Sequence, residues 1–353
     1  MSERSGTGHR FVERVWFGDD RVAAVSRAAL MPVERLFGGI VGARDVLYDA
    51  GWLTTHPVAI PAVSIGNLTV GGTGKTPIAA WIAAGLATRG ARPAMILRGY
   101  GDDEPLVHKT LNPDIPVVLG ADRVDAIARA AAAGADIAVL DDAFQHRRAR
   151  RVADLVLVSA DRWTGETHLL PAGPWREPLT AVRRASLVIV TRKAAPETTV
   201  DEVNQRIAEV APASPRVSVH LEPGELVAVG ERPETRPLVS LEGRRVHAVL
   251  SIGDPAAFVA QLESLGASVT SSEFPDHHRF GANDVAGVLR DAGTAMLVCT
   301  LKDAVKLGPL WPRLGPPLWY VSQRVTVERG VGGIERILDD LVRVRSATSR
   351  NAG

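Results

Sequence analysis

Apolar positions along the chain follow three patterns in succession. From Phe11 to Tyr48 they recur at near-helical spacing (Val22, Val25, Ala29, Val33, Phe37, Ile40, then Leu47), with Arg21, Arg27, Arg35 and Arg44 interspersed. This predicts a helical segment that Pro32 kinks or splits. Short apolar runs come next: 62–65, 93–97, 117–119, 137–140, 155–159 and 187–191. They alternate with loops or helix-compatible stretches such as 78–87 and 123–133. Apolar strands separated by helices predict a parallel sheet covered on both faces, with ligands gathering at the carboxyl ends of its strands. Around 211–237 proline and glycine become frequent and the periodicity fades. A second alternation then begins, with strands expected at 245–251, 267–274 and 295–300 and helices at 255–265, 283–292 and from Asp303 onward.

The expected fold class is α/β: a P-loop NTPase domain with a parallel sheet covered by helices, a smaller second α/β domain, and an N-terminal amphipathic helical segment. The expected boundaries are 1–55 for the helical segment, 56–215 for the P-loop domain, 216–242 for a linker and 243–345 for the second domain. Residues 1–10 read as a disordered lead, and the tail after Val344 reads as frayed.

At 353 residues the chain is long for a single core, which agrees with two domains. A net charge of +1 lacks the basic excess that a nucleic-acid partner calls for. The single cysteine, Cys299, excludes an intramolecular disulfide or a cysteine-built zinc site, and its apolar neighbours make it a core residue. No uninterrupted apolar run reaches the roughly 18 residues of a membrane span. The Phe11–Tyr48 helix has two readings: an appendage packed on its own domain, or an interfacial helix on an anionic membrane surface.

The stretch AVSIGNLTVGGTGKTP, from Ala62 to Pro77, carries the strongest chemistry. An apolar strand runs into Thr69-Val70-Gly71-Gly72-Thr73-Gly74, then Lys75-Thr76 and a helix: the layout of a phosphate-binding P-loop. Glycines let backbone N–H groups approach a polyphosphate, Lys75 reaches the terminal phosphates, and the Thr76 hydroxyl can hold Mg²⁺. Thr69 stands where the strict motif has glycine, so the match is to the core GGTGKT. Downstream, the run 137–140 closes on Asp141-Asp142, where Asp141 is placed to hold the same Mg²⁺. Gln145 and His146 follow near the same sheet edge. The acidic cluster Asp102-Asp103-Glu104 reads either as a solvated turn or as the source of a general base near an acceptor hydroxyl. His277-His278 is a second proton-transfer candidate, and Arg147, Arg148, Arg150 and Arg151 form a local basic patch.

The segments SIGNLTVGGTGKTP, LRGYG, DEP, GADR, LDDAFQH, LLPAGPWREP, SEFPDHHRF and TLKDAVKL, in this order, resemble the tetraacyldisaccharide 4′-kinase family of lipid A biosynthesis. They extend from about Trp16 to Tyr320, and LLPAGPWREP is the most diagnostic. The resemblance implies an ATP- and Mg²⁺-dependent kinase that phosphorylates the 4′-hydroxyl of a tetraacyl disaccharide 1-phosphate. It further implies peripheral attachment to the cytoplasmic face of the inner membrane, with no protein partner required. Asp103 then matches the catalytic base and His277 the histidine paired with it, a dyad expected to span the two domains. Asp141, Asp142, Gln145 and His146 match the metal and phosphate end, with metal roles for Thr76, Asp141 and Gln145. Arg98, Asp142, His146, Arg176 and Glu177 are candidate phosphate or sugar contacts. The segment before Asp103 is shorter than is usual in the family, which leaves Asp102 and Asp103 both open as the base. Leu301 replaces a usual glutamate, and Ala143 a usual glycine. Two rivals remain: a nucleotide-switch ATPase sharing the GGTGKT core and acting on a protein partner, and a kinase with a soluble acceptor.

Overall fold

The computed structural model describes residues 11–99, 103–230, 234–276 and 278–351. The expected lead at 1–10 and the candidates Asp102 and His277 lie outside the described residues. The chain forms two compact units, one of residues 1–99, 112–220 and 327–353 and the other of residues 100–111 and 221–326.

The first unit is built on seven parallel strands: β1 (Ala62–Asn67), β2 (Pro93–Leu97), β3 (Val117–Leu119), β4 (Ile137–Asp141), β5 (Ala153–Ser159), β6 (Leu187–Arg192) and the first half of β7 (Arg216–Ala228). Their order is β3-β2-β4-β1-β5-β6-β7. Every residue of β1, β2 and β4 is buried, the signature of strands covered on both faces. The helices of this unit are α1 (11–17), α2 (Arg21–Asp49), α3 (Lys75–Thr88), α5 (Arg123–Ala132), α6 (Glu197–Val210) and α10 (Val331–Asn351).

Helix α2 runs unbroken through Pro32. Pro32 removes the donor that would reach the carbonyl of Ala28, and both residues lie on the exposed side, where that carbonyl is open to solvent. Its N-terminus is capped by Asp20, which accepts from the N–H of Val22 and Ala23. Its fully buried residues are Ala23 and Val41, and Leu30, Phe37, Leu47 and Tyr48 are partly buried. Polar contacts also hold its inner face. Arg27 donates to the carbonyls of Val15 and Gly18, and Glu34 accepts from the N–H of Leu169 at 2.7 Å. Val22, Val25, Val33, Leu36 and Ile40 are all exposed, and at helical periodicity they fall in one stripe roughly 80° wide. No helix among the described residues is long and apolar enough to cross a membrane.

The second unit holds α4 (Asp103–Leu111), β8 (Thr235–Pro237), β9 (Arg245–Leu250), α7 (Pro255–Ser264), β10 (Ser268–Glu273), α8 (Ala282–Ala292), β11 (Met296–Thr300), α9 (Leu301–Leu307) and most of β12 (Leu318–Arg329). Strands β10-β9-β11-β12 are parallel, while β8 pairs antiparallel with the far half of β7. Cys299 is fully buried here, and burial pushes its thiol well up.

Two expectations from the sequence differ from the fold. The stretch 216–242 contains β7 and β8 and is not an unstructured linker. Val217, Val219 and Leu221 alternate inward, and a side chain at Gly224 would sit 2.5 Å from the Ser322 hydroxyl, so the glycine serves close strand approach and not a loop. Of the acidic cluster, Asp103 and Glu104 do not follow the solvated-turn reading, one of the two the sequence offers: they form the first turn of α4, where carboxylates oppose the positive end of the helix dipole.

Candidate functional site

β1 carries the chain to Asn67 and releases it into the glycine loop. Gly71 (φ 109°) and Gly74 (φ 84°) take left-handed conformations that a side chain would strain. Gly74 is the N-cap of α3 and supplies no side-chain acceptor. The first-turn N–H groups of α3, which have no intrahelical partners, are therefore left for a ligand or water. A Cβ at Gly71 would lie 3.2 Å from Arg162 Nη2, and one at Gly72 would lie 4.0 Å from Lys193 Nζ. The loop thus lines a cradle that side chains would fill, flanked by two cations from the segments after β5 and β6. Asp161 fixes the Lys193 segment by accepting the N–H groups of Lys193, Ala194 and Ala195, each at 2.8 Å. Arg162 is itself paired with Glu13 at 2.9 Å, and the donor-rich, glycine-lined cradle with Lys75 and Lys193 at hand fits a polyphosphate.

Asn67, fully buried at the end of β1, organises the loop. Its amide donates to Thr73 Oγ1 (2.9 Å), its carbonyl oxygen accepts from Lys75 Nζ (3.2 Å), and its backbone carbonyl accepts from Gln145 Nε2 (2.8 Å). The motif LLPAGPWREP wraps the same loop. Val70 N–H donates to the Pro174 carbonyl (2.8 Å), Arg176 N–H donates to Leu68 (2.6 Å), and Thr69 bridges to Trp175. Its diagnostic sequence therefore has a local structural reason, because it is the strap that shapes the phosphate loop. Thr191 adds a hydroxyl bond to the Thr73 carbonyl (2.9 Å).

Asp141 ends β4 in register with Ile65 of β1, which sets its buried carboxylate on the strand beside the loop. Thr76 stands half-buried in the first turn of α3, and Gln145 is engaged by Asn67 as described. Asp142 takes φ 50°, a left-handed backbone that costs a non-glycine residue roughly 1–2 kcal/mol. Its carboxylate lies 3.6 Å from Lys75 Nζ and 3.2 Å from Arg176 Nη1. Burial pushes the Asp142 carboxyl up, but the Lys75 ammonium and the Arg176 guanidinium outweigh it, and the net direction is down. Lys75, Asp142 and Arg176 thus form one charged chain along the loop.

The remaining candidates of this unit separate. Arg98 is exposed just after β2. His146 stands among Arg123, Arg151, Asp122 and Arg148; burial first, then the Arg123 and Arg151 guanidiniums, lowers its pKa. Its Nε2 is buried with no hydrogen-bond partner. Arg147 leaves the basic patch to pair with Asp49 of α2 at 2.6 Å. Glu177 corrects the expectation of a substrate contact. It is fully buried, with Oε1 2.5 Å from Arg44 Nη2 and Oε2 2.5 Å from Arg184 Nη2. Asp45 completes the cluster, 3.1 Å from Arg44 and 2.7 Å from Arg184. Glu177 therefore anchors α2, while its neighbour Arg176 faces Asp142.

Asp103 belongs to the second unit, although the sequence placed it within the P-loop domain. It is buried at the start of α4, which packs on α9. Lys302 Nζ lies 3.7 Å from Asp103 Oδ2 and 3.0 Å from Asp276 Oδ1. His278 stacks on Phe274 at 4.9 Å and bonds Asp284 through Nε2 at 3.1 Å, which steadies the segment carrying Asp276.

Asn67, Arg162, Lys193 and Lys302 escaped the reading of the sequence. The first stood inside the quoted motif SIGNLTVGGTGKTP as a polar residue ending an apolar strand. The two cations beyond β5 and β6 carry no local signal.

Residues 26–105 and 101–343 match the family described as Tetraacyldisaccharide-1-P 4'-kinase. A Tetraacyldisaccharide 4'-kinase from Anaeromyxobacter dehalogenans (strain 2CP-1 / ATCC BAA-258) is 40% identical, over 93% of this chain and 94% of its own length. One from Alkalilimnicola ehrlichii is 36% identical over 91% and 95%. The solved "apo" form of LpxK from Aquifex aeolicus in complex with ATP superposes with a TM-score of 0.70 at 27% identity, covering 90% of this chain and 99% of that one.

Proposed function

The chain belongs to the tetraacyldisaccharide 4′-kinase family, and on that premise we propose that it transfers the γ-phosphoryl group of ATP to the 4′-hydroxyl of a tetraacyl disaccharide 1-phosphate. The observation that carries the reading is the cradle itself: a glycine-rich loop with uncapped helix N–H groups, held by Asn67 and lined by Lys75, Arg162 and Lys193. The loop amides and Lys75 hold the phosphates, and positive charge gathers where charge develops during transfer. Thr76 and Asp141 would hold Mg²⁺, with Gln145 nearby, and the bound ion supplies charge neutralisation at the phosphoryl oxygens. Asp142, pinned between Lys75 and Arg176, orients both cations. Asp103 takes the proton of the 4′-hydroxyl as that oxygen bonds to phosphorus, and ADP leaves with the electrons of the broken P–O bond.

The acylated acceptor also accounts for α2. Its exposed stripe of valine, leucine and isoleucine, beside the exposed Arg21 and Arg35, suits insertion into the headgroup region of an anionic bilayer. Peripheral attachment to the cytoplasmic face of the inner membrane follows from this reading.

The test is ATP-dependent phosphorylation of a tetraacyl disaccharide 1-phosphate in mixed micelles, comparing wild type with Asp103→Ala. Phosphorylated lipid from the wild type, lost in the variant, is the expected result. Hydrolysis of ATP without any lipid product would replace the kinase with a nucleotide switch. Product formation that survives the substitution would keep the kinase and remove Asp103 as the base.

A further inference from the structure

Asp103 sits at a helix start with a cation near it and a second acid beyond, all within one unit. We infer that Lys302 is a positioning residue for the Asp103 carboxylate, itself held in place by Asp276, an inference that rests on the reading of Asp103 as the general base.

Three observations carry it. First, Asp103 is 3% exposed and rooted in the first turn of α4, so its carboxylate has little freedom of its own. Second, the two charged residues in the first turn of α9 divide their partners. Asp303 turns inward to the backbone N–H of Ser251 (3.1 Å) and the hydroxyl of Thr300 (2.8 Å), whereas Lys302 turns to the acids. Third, the two acids hold Lys302 unequally. At 3.0 Å its ammonium is hydrogen-bonded to Asp276, and at 3.7 Å from Asp103 it lies beyond hydrogen-bond range.

That asymmetry suits a base. An ammonium bonded directly to Asp103 would occupy an acceptor lone pair and depress its basicity. One set back by Asp276 attracts and aims the carboxylate while competing less for the proton. Among the described residues, the titratable groups on the elements that carry the pair are Glu104 and His108 on α4, Asp303 and Lys306 on α9, and Asp276 and His278 on the segment after β10.

The experiment compares Lys302→Met, Lys302→Arg, Asp103→Asn and the double variant Asp103→Asn/Lys302→Met. Each is assayed with ATP and a tetraacyl disaccharide 1-phosphate in mixed micelles. Misplacement of a reacting group by about 1 Å costs up to 10²-fold, so Lys302→Met lowers kcat by roughly 10- to 100-fold while KM for both substrates changes by less than about twofold. Loss of a cation a few ångströms away moves the acid limb of the kcat profile up by about one pH unit, and Lys302→Arg restores most of the rate at the original pH. In the Asp103→Asn background, Lys302→Met adds no further loss, the mark of a residue acting through Asp103.

Wild-type kcat in a folded Lys302→Met enzyme, with Asp103→Asn reduced to a small residual rate, overturns the inference and leaves the base in place. Losses that multiply in the double variant overturn it too, since Lys302 would then act on a substrate. Full turnover by Asp103→Asn overturns the base reading and this inference together.

Discussion

The Glu177 cluster allows a quantitative separation of anchoring from catalysis. Glu177→Gln keeps the side-chain shape and removes one charge from a site where both carboxylate oxygens meet arginines at 2.5 Å. A hydrogen bond to a charged group contributes about 1.5–3 kcal/mol, and breaking a buried ion pair costs about 3–5 kcal/mol. Neither guanidinium would be orphaned, however, because Asp45 also bonds Arg44 and Arg184. The arginines, with side chains 33% and 21% exposed, can also draw on water. Both facts place the loss near the lower bound, at about 3 kcal/mol. For a unit of this size, that lowers the melting temperature by roughly 6–12 °C. Thermal melts followed by circular dichroism, together with urea midpoints, measure it. Limited proteolysis should cut α2 faster in the variant. A variant that melts within about 2 °C of wild type yet loses turnover by about 100-fold would refute the reasoning and return Glu177 to the substrate.

Two further outcomes follow from the same contacts. Leu36→Glu combined with Ile40→Glu alters side chains that are 66% and 62% exposed, so the melting temperature holds. Co-sedimentation with anionic phospholipid vesicles falls by at least about tenfold, because two apolar anchors are replaced by repelled charges; undiminished sedimentation would remove α2 from the membrane contact. The pH dependence of stability carries the signature of His146. Its folded pKa lies below the usual 6.5, so its contribution is fully present above pH 6.5 and declines as pH falls from there through the folded value. Urea midpoints between about pH 7.5 and 5.5 should therefore fall less steeply in His146→Gln than in wild type. Asp142, whose carboxyl is lowered, adds nothing in that window, since its ion pairs fail only below the ordinary carboxylate range near 3.8.

What the sequence disclosed was local. β2 and β3 begin and end where their apolar runs do, and β1 with its glycine loop is legible because strand, turn and helix follow without interruption. β7 was missed because Pro223 and Gly224 look like a loop until Ser322 is seen against Gly224. Helix α4 was missed because three acids in a row resemble a solvated turn, although two of them serve the helix dipole. The partition between Arg176 and Glu177 has no sequence signature at all. It depends on Arg44, 133 residues away, reaching a carboxylate that would otherwise be stranded in the core. Lys302 was hidden for the same reason, since its acids come from α4 and from the segment after β10.

The strap 169–178 carries two neighbouring residues with opposite duties, Arg176 toward Asp142 and Glu177 toward Arg44 of α2. A single peptide link therefore separates the helix mooring from the charge chain of the phosphate loop. The polar underside of α2 leaves the stripe of Val22, Val25, Val33, Leu36 and Ile40 as an apolar flank facing away from that mooring. Whatever takes that flank is set at a fixed stand-off from the cradle, as a gauge block sets the height of a tool above its work.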